Sequence, residues 1–218
     1  MEEKLNKYDF PIGRIGNTKN PVLIILLENQ NSDPNNYKLN PEYTMRIAGE
    51  LEPKDKENHD KHMEIETVVK YDKWWFDLSH IWKESVSKIS NDEVLALEYY
   101  PFATANSDKE KEIYNSKWED NSYAKKSLEI NKEILKNALN YNIPIFVYYK
   151  SGWYEGRDKY AIEPILVQCQ SKFISDYKPR GAVPSAIRKR LREFLSESSI
   201  KNQICKLREN PNYYLKKK

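Results

Sequence analysis

Four short apolar runs stand out from an otherwise polar chain, at residues 22–27, 94–97, 143–149 and 162–169. Each is continuous rather than alternating and rich in β-branched, leucine or aromatic side chains. Each therefore predicts a strand buried on both faces. Between the first two runs, Trp75, Leu78, Trp82 and Ile89 recur near the helical period, which predicts an amphipathic helix over 72–89. Between the second and third, Leu128, Leu135 and Leu139 share one face against lysines and glutamates on the other, predicting a helix over 122–141. A further helix is expected from Pro184, a residue suited to the first helical turn, with Ile187, Leu191, Phe194 and Leu195 turned inward. Strands alternating with helices in this way predict an α/β fold built on a mostly parallel sheet of four short strands. The third and fourth runs are only about a dozen residues apart, near the minimum for a parallel crossover, which leaves an antiparallel edge open. Residues 49–66 are polar with no apolar period and read as an exposed loop.

Composition narrows the class. The 218 residues suit one domain spanning 1–218, and clustered apolar residues amid 32% charged ones describe a globular core with a heavily solvated exterior. No apolar run approaches the roughly 20 residues of a membrane span, and the first residues lack the apolar core of a signal peptide. A soluble, cytoplasmic protein with no membrane partner is expected. Cys169 and Cys205 fall in a predicted strand and a basic segment, which argues against a disulfide framework or a cysteine zinc site. Charge is unevenly spread: from Lys178 onward twelve Lys or Arg face three Glu, a balance of +9 that leaves −6 for the remainder of a chain of net +3. A basic C-terminal segment, with a tail from about 197, suits a polyanion, although basic segments are often only solvated faces.

Candidate chemistry gathers at the strand ends. The second run leads into Glu98-Tyr99-Tyr100-Pro101-Phe102, where Pro101 cannot donate to a ladder and the chain is expected to leave the sheet. A carboxylate emerging from a buried strand should be desolvated and its pKa raised, and Tyr99, Tyr100 and Phe102 offer faces for a planar ligand. Ligands of open α/β sheets sit just beyond such carboxyl ends. The first run ends in Glu28-Asn29-Gln30-Asn31-Ser32-Asp33-Pro34, a polar turn in which Glu28, Asn29 or Asp33 could orient water or read a base edge, or simply turn the chain. Ser151, Gly152 and Trp153 follow the third run; Gln168, Gln170 and Lys172 close the fourth, with Lys178 and Arg180 beyond. The last helix adds Arg188, Lys189, Arg190 and Arg192 as an expected cationic outer face for nucleic acid. His59 and His62 lack a third ligand at credible spacing, and no Walker loop, dinucleotide fingerprint or Gly-x-Ser-x-Gly elbow occurs, so neither metal nor cofactor is expected.

Taken together, the strand ends Leu26-Leu27-Glu28-Asn29, Glu98-Tyr99-Tyr100-Pro101-Phe102, Lys150-Ser151-Gly152-Trp153 and Gln168-Cys169-Gln170-Ser171, with Lys73-Trp74-Trp75 between the first two, resemble the divergent bacterial branch of the uracil-DNA glycosylase-like superfamily. The resemblance spans residues 21–195. It implies a three-layer α/β/α sandwich with a DNA-facing cleft at the strand carboxyl ends, into which a base is flipped from single-stranded or damaged DNA. It implies further that Asn29 lies in the water-positioning motif, that Tyr99, Tyr100 and Phe102 lie near the base, and that Gln168 to Ser171 stand for the last motif. The water-positioning motif of the family reads Asn-Pro-Gly, and Gln30 and Asn31 stand at its Pro and Gly; the last motif of classical members carries a histidine, and none follows His80 here. A nucleic-acid or nucleobase binder that hydrolyses an N-glycosidic bond is one reading. A non-catalytic module that holds a protein partner on the same fold, through Trp153 and Tyr154, is a second, and a hydrolase of small polar metabolites with Glu98 as base is a third.

Overall fold

The computed structural model describes residues 14–31, 65–71, 73–104, 122–148, 153, 173–175 and 184–210. Their elements run β1 (Arg14–Gly16), β2 (Leu23–Asn31), α1 (Ile65–Tyr71), α2 (Lys73–Lys83), a 3-10 turn (Asn91–Glu93), β3 (Val94–Thr104), α3 (Ser122–Asn140), β4 (Ile145–Val147), α4 (Pro184–Ser196) and α5 (Ser198–Glu209). Among the described residues the strands form one four-stranded sheet ordered β1-β3-β2-β4. The α/β class expected from the apolar runs holds: β2 is parallel to both β3 and β4, and β1 closes one edge antiparallel to β3.

The runs that predicted β2, β3 and β4 form the sheet's centre because every side chain at 23–27, 94–97 and 145–147 is buried there. Two lengths differ from expectation. β2 continues to Asn31 instead of turning at Glu28, and β3 continues to Thr104 instead of stopping at Pro101. The reason is mutual: each strand supplies the other's backbone partner, with Leu27 opposite Glu98 and Asn29 opposite Tyr100. Pro101 is accommodated by an irregularity, since Asn31 next pairs with Thr104 and β3 therefore holds two extra residues where the proline falls. The fourth run, 162–169, lies outside the described residues. Beside β4, Ile174 makes a parallel bridge to Ile145, and the Ser175 hydroxyl takes the Val147 N–H at 2.9 Å.

β1 has no apolar signature. Gly16 ends it at φ +101, and a Cβ there would stand 2.2 Å from the Val94 carbonyl oxygen and 2.9 Å from the Ile65 side chain, so only glycine fits. Ile65 begins α1, which occupies the end of the segment expected to be loop through Glu66; the rest of that loop lies outside the described residues. The helix expected over 72–89 is shorter, ending at Lys83. Ile89 is nevertheless buried, reached through a turn in which its N–H bonds the Trp82 carbonyl at 3.0 Å. α3 and α4 match their predicted spans closely.

The segment read as a basic tail from about 197 is α5. Ile200, Ile204 and Leu207, spaced four and three apart, are buried in the same core as the sheet, while Lys206 and Glu209 face outward. Arg208 fastens its end, donating from Nε and Nη2 to Glu93 at 2.6 and 2.7 Å and from Nη1 to the Ser87 carbonyl at 2.8 Å. Burial alone would raise the Glu93 carboxyl, but hydrogen bonds from Arg208 and Ser90 outweigh it and hold the group below the usual carboxylate range. A depressed carboxyl stabilises the fold above its unfolded pKa and loses that stabilisation as pH falls through the folded value. Glu93→Gln is therefore expected to lower the urea midpoint at pH 7, with the gap to wild type full above the unfolded glutamate value of about 4.3 and closing only below it, as pH falls through the folded value. A gap that persists at acid pH would contradict this.

Candidate functional site

β2 is the first of the parallel strands, and the chain then places β3 on one side of it and β4 on the other. Such a reversal leaves a crevice outside the carboxyl ends of the strands, where open α/β sheets hold their ligands. Two of the strand ends singled out from the sequence meet at that edge. Glu98 pairs with Leu27, and Asn29 pairs with Tyr100, so the first two motifs lie side by side on adjacent parallel strands. Glu28 belongs to the same end of β2, and Tyr99 and Phe102 to the same end of β3.

Glu98 is 1% exposed. Side-chain alternation settles its surroundings. Ile25 pairs with Ala96 and with Phe146, so two residues further along, Glu98, Leu27 and Tyr148 form one row on one face of the sheet. Tyr148 keeps this register just beyond β4: its N–H bonds the Leu26 carbonyl at 2.9 Å, and its ring lies 6.5 Å from that of Phe146 on the same face. Trp74 of α2 stands edge-on to Tyr148, with ring centroids 5.2 Å apart, and edge-on to Trp75 at 5.1 Å. The row thus has a carboxylate at one end, a phenol at the other, leucine between them and an indole beside the phenol.

The opposite face carries a second buried polar group at the same height. Arg14 pairs with Leu97 and so projects away from Glu98. Its Nη1 donates to Asn131 Oδ1 at 3.1 Å, and Asn131 Nδ2 donates to the Glu98 carbonyl oxygen at 3.0 Å. Asn131 is fully buried in the apolar stripe of α3, and its one amide ties α3, β1 and β3 together at the strand end that carries Glu98. Arg14, Asn131 and Tyr148 were not among the candidates from sequence, and Trp74 entered only through the Trp-Trp pair of the resemblance. Asn131 left one trace there, a polar residue inside the Leu128–Leu135 apolar period; the contact with Arg14, 117 positions away, left none.

Several candidates change role. Trp153, expected to contact a substrate or, with Tyr154, a protein partner, is 0% exposed and its indole N–H is donated to the Leu27 carbonyl oxygen. It caps the backbone of β2 where the ladder thins, so it supports the strand end from inside. The cationic face expected on α4 is halved. Arg188 turns toward α2 and pairs with Asp77 at 3.2 Å, and the Arg190 guanidinium sits 5.7 Å from the centre of the Phe146 ring. Lys73 beside it, with Arg188 behind, holds the Asp77 carboxyl below the usual range despite opposing desolvation. Lys189 and Arg192 do face outward, Lys189 3.8 Å from Glu193. Ser151, Gln168, Gln170, Lys172, Lys178 and Arg180 lie outside the described residues, as do Tyr154, Cys169, His59 and His62.

Among the described residues no three of His, Cys, Asp and Glu gather as a metal site, and no helix is long and apolar enough to cross a membrane. His80, on the outer face of α2, packs against Phe76 with ring centroids 4.5 Å apart. No family model, curated protein or solved structure matches this chain.

Proposed function

We propose that this chain binds single-stranded or base-damaged nucleic acid through one nucleobase held at the carboxyl edge of the sheet, with Glu98 contacting the base and Asn29 and Tyr100 beside it. The observation that carries the reading is the pairing of Leu27 with Glu98 and of Asn29 with Tyr100, which brings two motifs 71 residues apart in sequence into adjacent registers around a buried carboxylate. A three-layer arrangement belongs to the same proposal. It is supported by Phe194 of α4 packing on Phe146, 5.8 Å between centroids, on the face of Glu98, and by Asn131 of α3 meeting Arg14 on the other.

Hydrolysis of the N-glycosidic bond is the reaction such a site would perform. A water oxygen held near Asn29 bonds to the anomeric carbon and gives up a proton, the carbon–nitrogen bond breaks, and its electron pair leaves on the base, which takes up a proton in exchange. Incubation with single strands carrying a panel of modified bases, followed by alkali, should give strand breaks. Absence of cleavage across the panel would remove the hydrolase and leave the binding protein.

Binding itself should weaken steeply with salt, because contacts to phosphates release counterions. Lys189 and Arg192 point outward, so the double variant Lys189→Ala/Arg192→Ala is expected to reduce the log–log salt slope by about 1.4, roughly 0.7 per phosphate on a single strand. Arg188→Ala and Arg190→Ala should act on thermal stability instead, since both side chains are engaged with α2 or β4. A flat salt response of the wild-type protein would exclude nucleic-acid binding.

A further inference from the structure

The Glu98 main chain stands where the support of β3 changes hands. The Asn17 N–H bonds the Val94 carbonyl at 2.8 Å, so Val94 turns its main-chain groups toward β1, and by alternation Ala96 and Glu98 do the same. Among the described residues β1 reaches only to Arg14, opposite Leu97 and one position short of Glu98. There α3 supplies a donor: Asn131 Nδ2 meets the Glu98 carbonyl oxygen at 3.0 Å. β3 then continues to Thr104, paired with β2. A side-chain amide thus takes over from β1 at the position where β3 enters the candidate site.

This relay can run in one direction only. A guanidinium donates and has no acceptor, so the atom of Asn131 that faces Arg14 Nη1 at 3.1 Å is its oxygen, and the amide nitrogen is left for the Glu98 carbonyl. Arg14 is permanently charged, and its pull on the amide oxygen makes the amide a stronger donor at its other end. Arg14 and Asn131 are 4% and 0% exposed, so a donor lost here is not replaced by water. Asn131 also interrupts the apolar stripe of Leu128 and Leu135, where burying an amide is costly unless it is hydrogen-bonded. From this geometry, and resting on the nucleic-acid reading above, we infer that Asn131 is a positioning residue of the proposed site: its amide is oriented by Arg14, and it fixes the Glu98 main chain and with it the level at which β3 presents Glu98, Tyr99 and Tyr100.

The test is Asn131→Asp, which keeps the shape and an oxygen for Arg14 but has nothing to donate to the Glu98 carbonyl. The new ion pair with Arg14 holds β1 to α3, so a cooperative melting transition is expected to survive. Amide hydrogen exchange at residues 99–104 should speed up about tenfold, the scale of one lost hydrogen bond, while residues 23–27 and 94–97 exchange as in wild type. Affinity for a mixed-sequence DNA single strand should fall roughly three- to tenfold. Arg14→Met is the second variant; it keeps an apolar stem, leaves the amide without the cation that orients it, and should give the same local pattern at about threefold. Exchange that quickens across the sheet centre in step with 99–104, or unfolding of both variants, would make Asn131 a general prop and overturn the inference. Unchanged exchange at 99–104 in both variants overturns it too, as does localised exchange with wild-type affinity for the single strand. A wild-type protein that binds no single strand overturns the nucleic-acid reading instead, and the exchange pattern then still decides whether Asn131 sets the strand end.

Discussion

A chain ending at Glu197 is expected not to fold. The truncation removes α5, and with it Ile200, Ile204 and Leu207, which are 0%, 0% and 6% exposed in the core. Burying one such side chain contributes about 1.5–3 kcal/mol. Three together approach the 5–15 kcal/mol that separates most folded domains from their unfolded chains, roughly. The loss does not stop there, because Arg208 also leaves Glu93 and the Ser87 carbonyl, and Gln203 leaves the Tyr141 carbonyl. Ile204→Ala isolates the packing contribution and should cost about 2–5 kcal/mol in urea unfolding. Lys206→Ala, on the exposed face, should stay within about 0.5 kcal/mol of wild type. A truncated protein that retains a cooperative unfolding transition would show that this helix is the dispensable basic tail its composition suggests.

Glu98→Gln should separate binding from stability. The substitution keeps size and shape but replaces a carboxylate that only accepts with an amide that also donates. Hydrogen bonds from a ligand to a charged group are worth about 1.5–3 kcal/mol, so affinity for single-stranded DNA should fall roughly 10- to 150-fold. The fold should respond little. Gln fills the volume of the buried side chain, so the melting temperature should stay close to that of wild type. Loss of binding with retained stability marks a residue kept for its chemistry. If Glu98→Gln instead unfolds the protein, the carboxylate is part of the scaffold and the site proposal loses its centre.

The candidate site was half legible. Glu98 could be found because a charge directly follows four apolar residues, and that contrast is local. Its neighbours on the row could not be ranked the same way. Tyr148 looks like any aromatic at the end of a strand; its significance comes from the parallel register with Leu26, which places it level with Glu98 two strands away. Trp153 shows the converse. Serine, glycine and tryptophan after a strand suggest contact with a ligand or partner, whereas the indole is spent on the Leu27 carbonyl inside the protein. The arginines of α4 were counted as one cationic surface. Helical geometry points Arg188 and Lys189 a third of a turn apart, enough to turn one to Asp77 and the other to solvent.

The sequence by itself determined which segments must be buried: the apolar centres of β2, β3 and β4, the stripes of α3 and α4, and the abrupt polar exit at Glu98. Those follow from hydrophobic period and run length, which each segment carries alone. Only the tertiary structure decided how far β2 and β3 extend past their apolar centres, that Pro101 falls in an irregularity, that a short β1 caps the sheet, and that the basic end docks as a helix. It alone joined Arg14, Asn131 and the Glu98 backbone from three distant segments. The physical reason is common to all of these. A backbone group or a buried polar side chain needs a partner, and the partner is supplied by another part of the chain whose position no local pattern encodes.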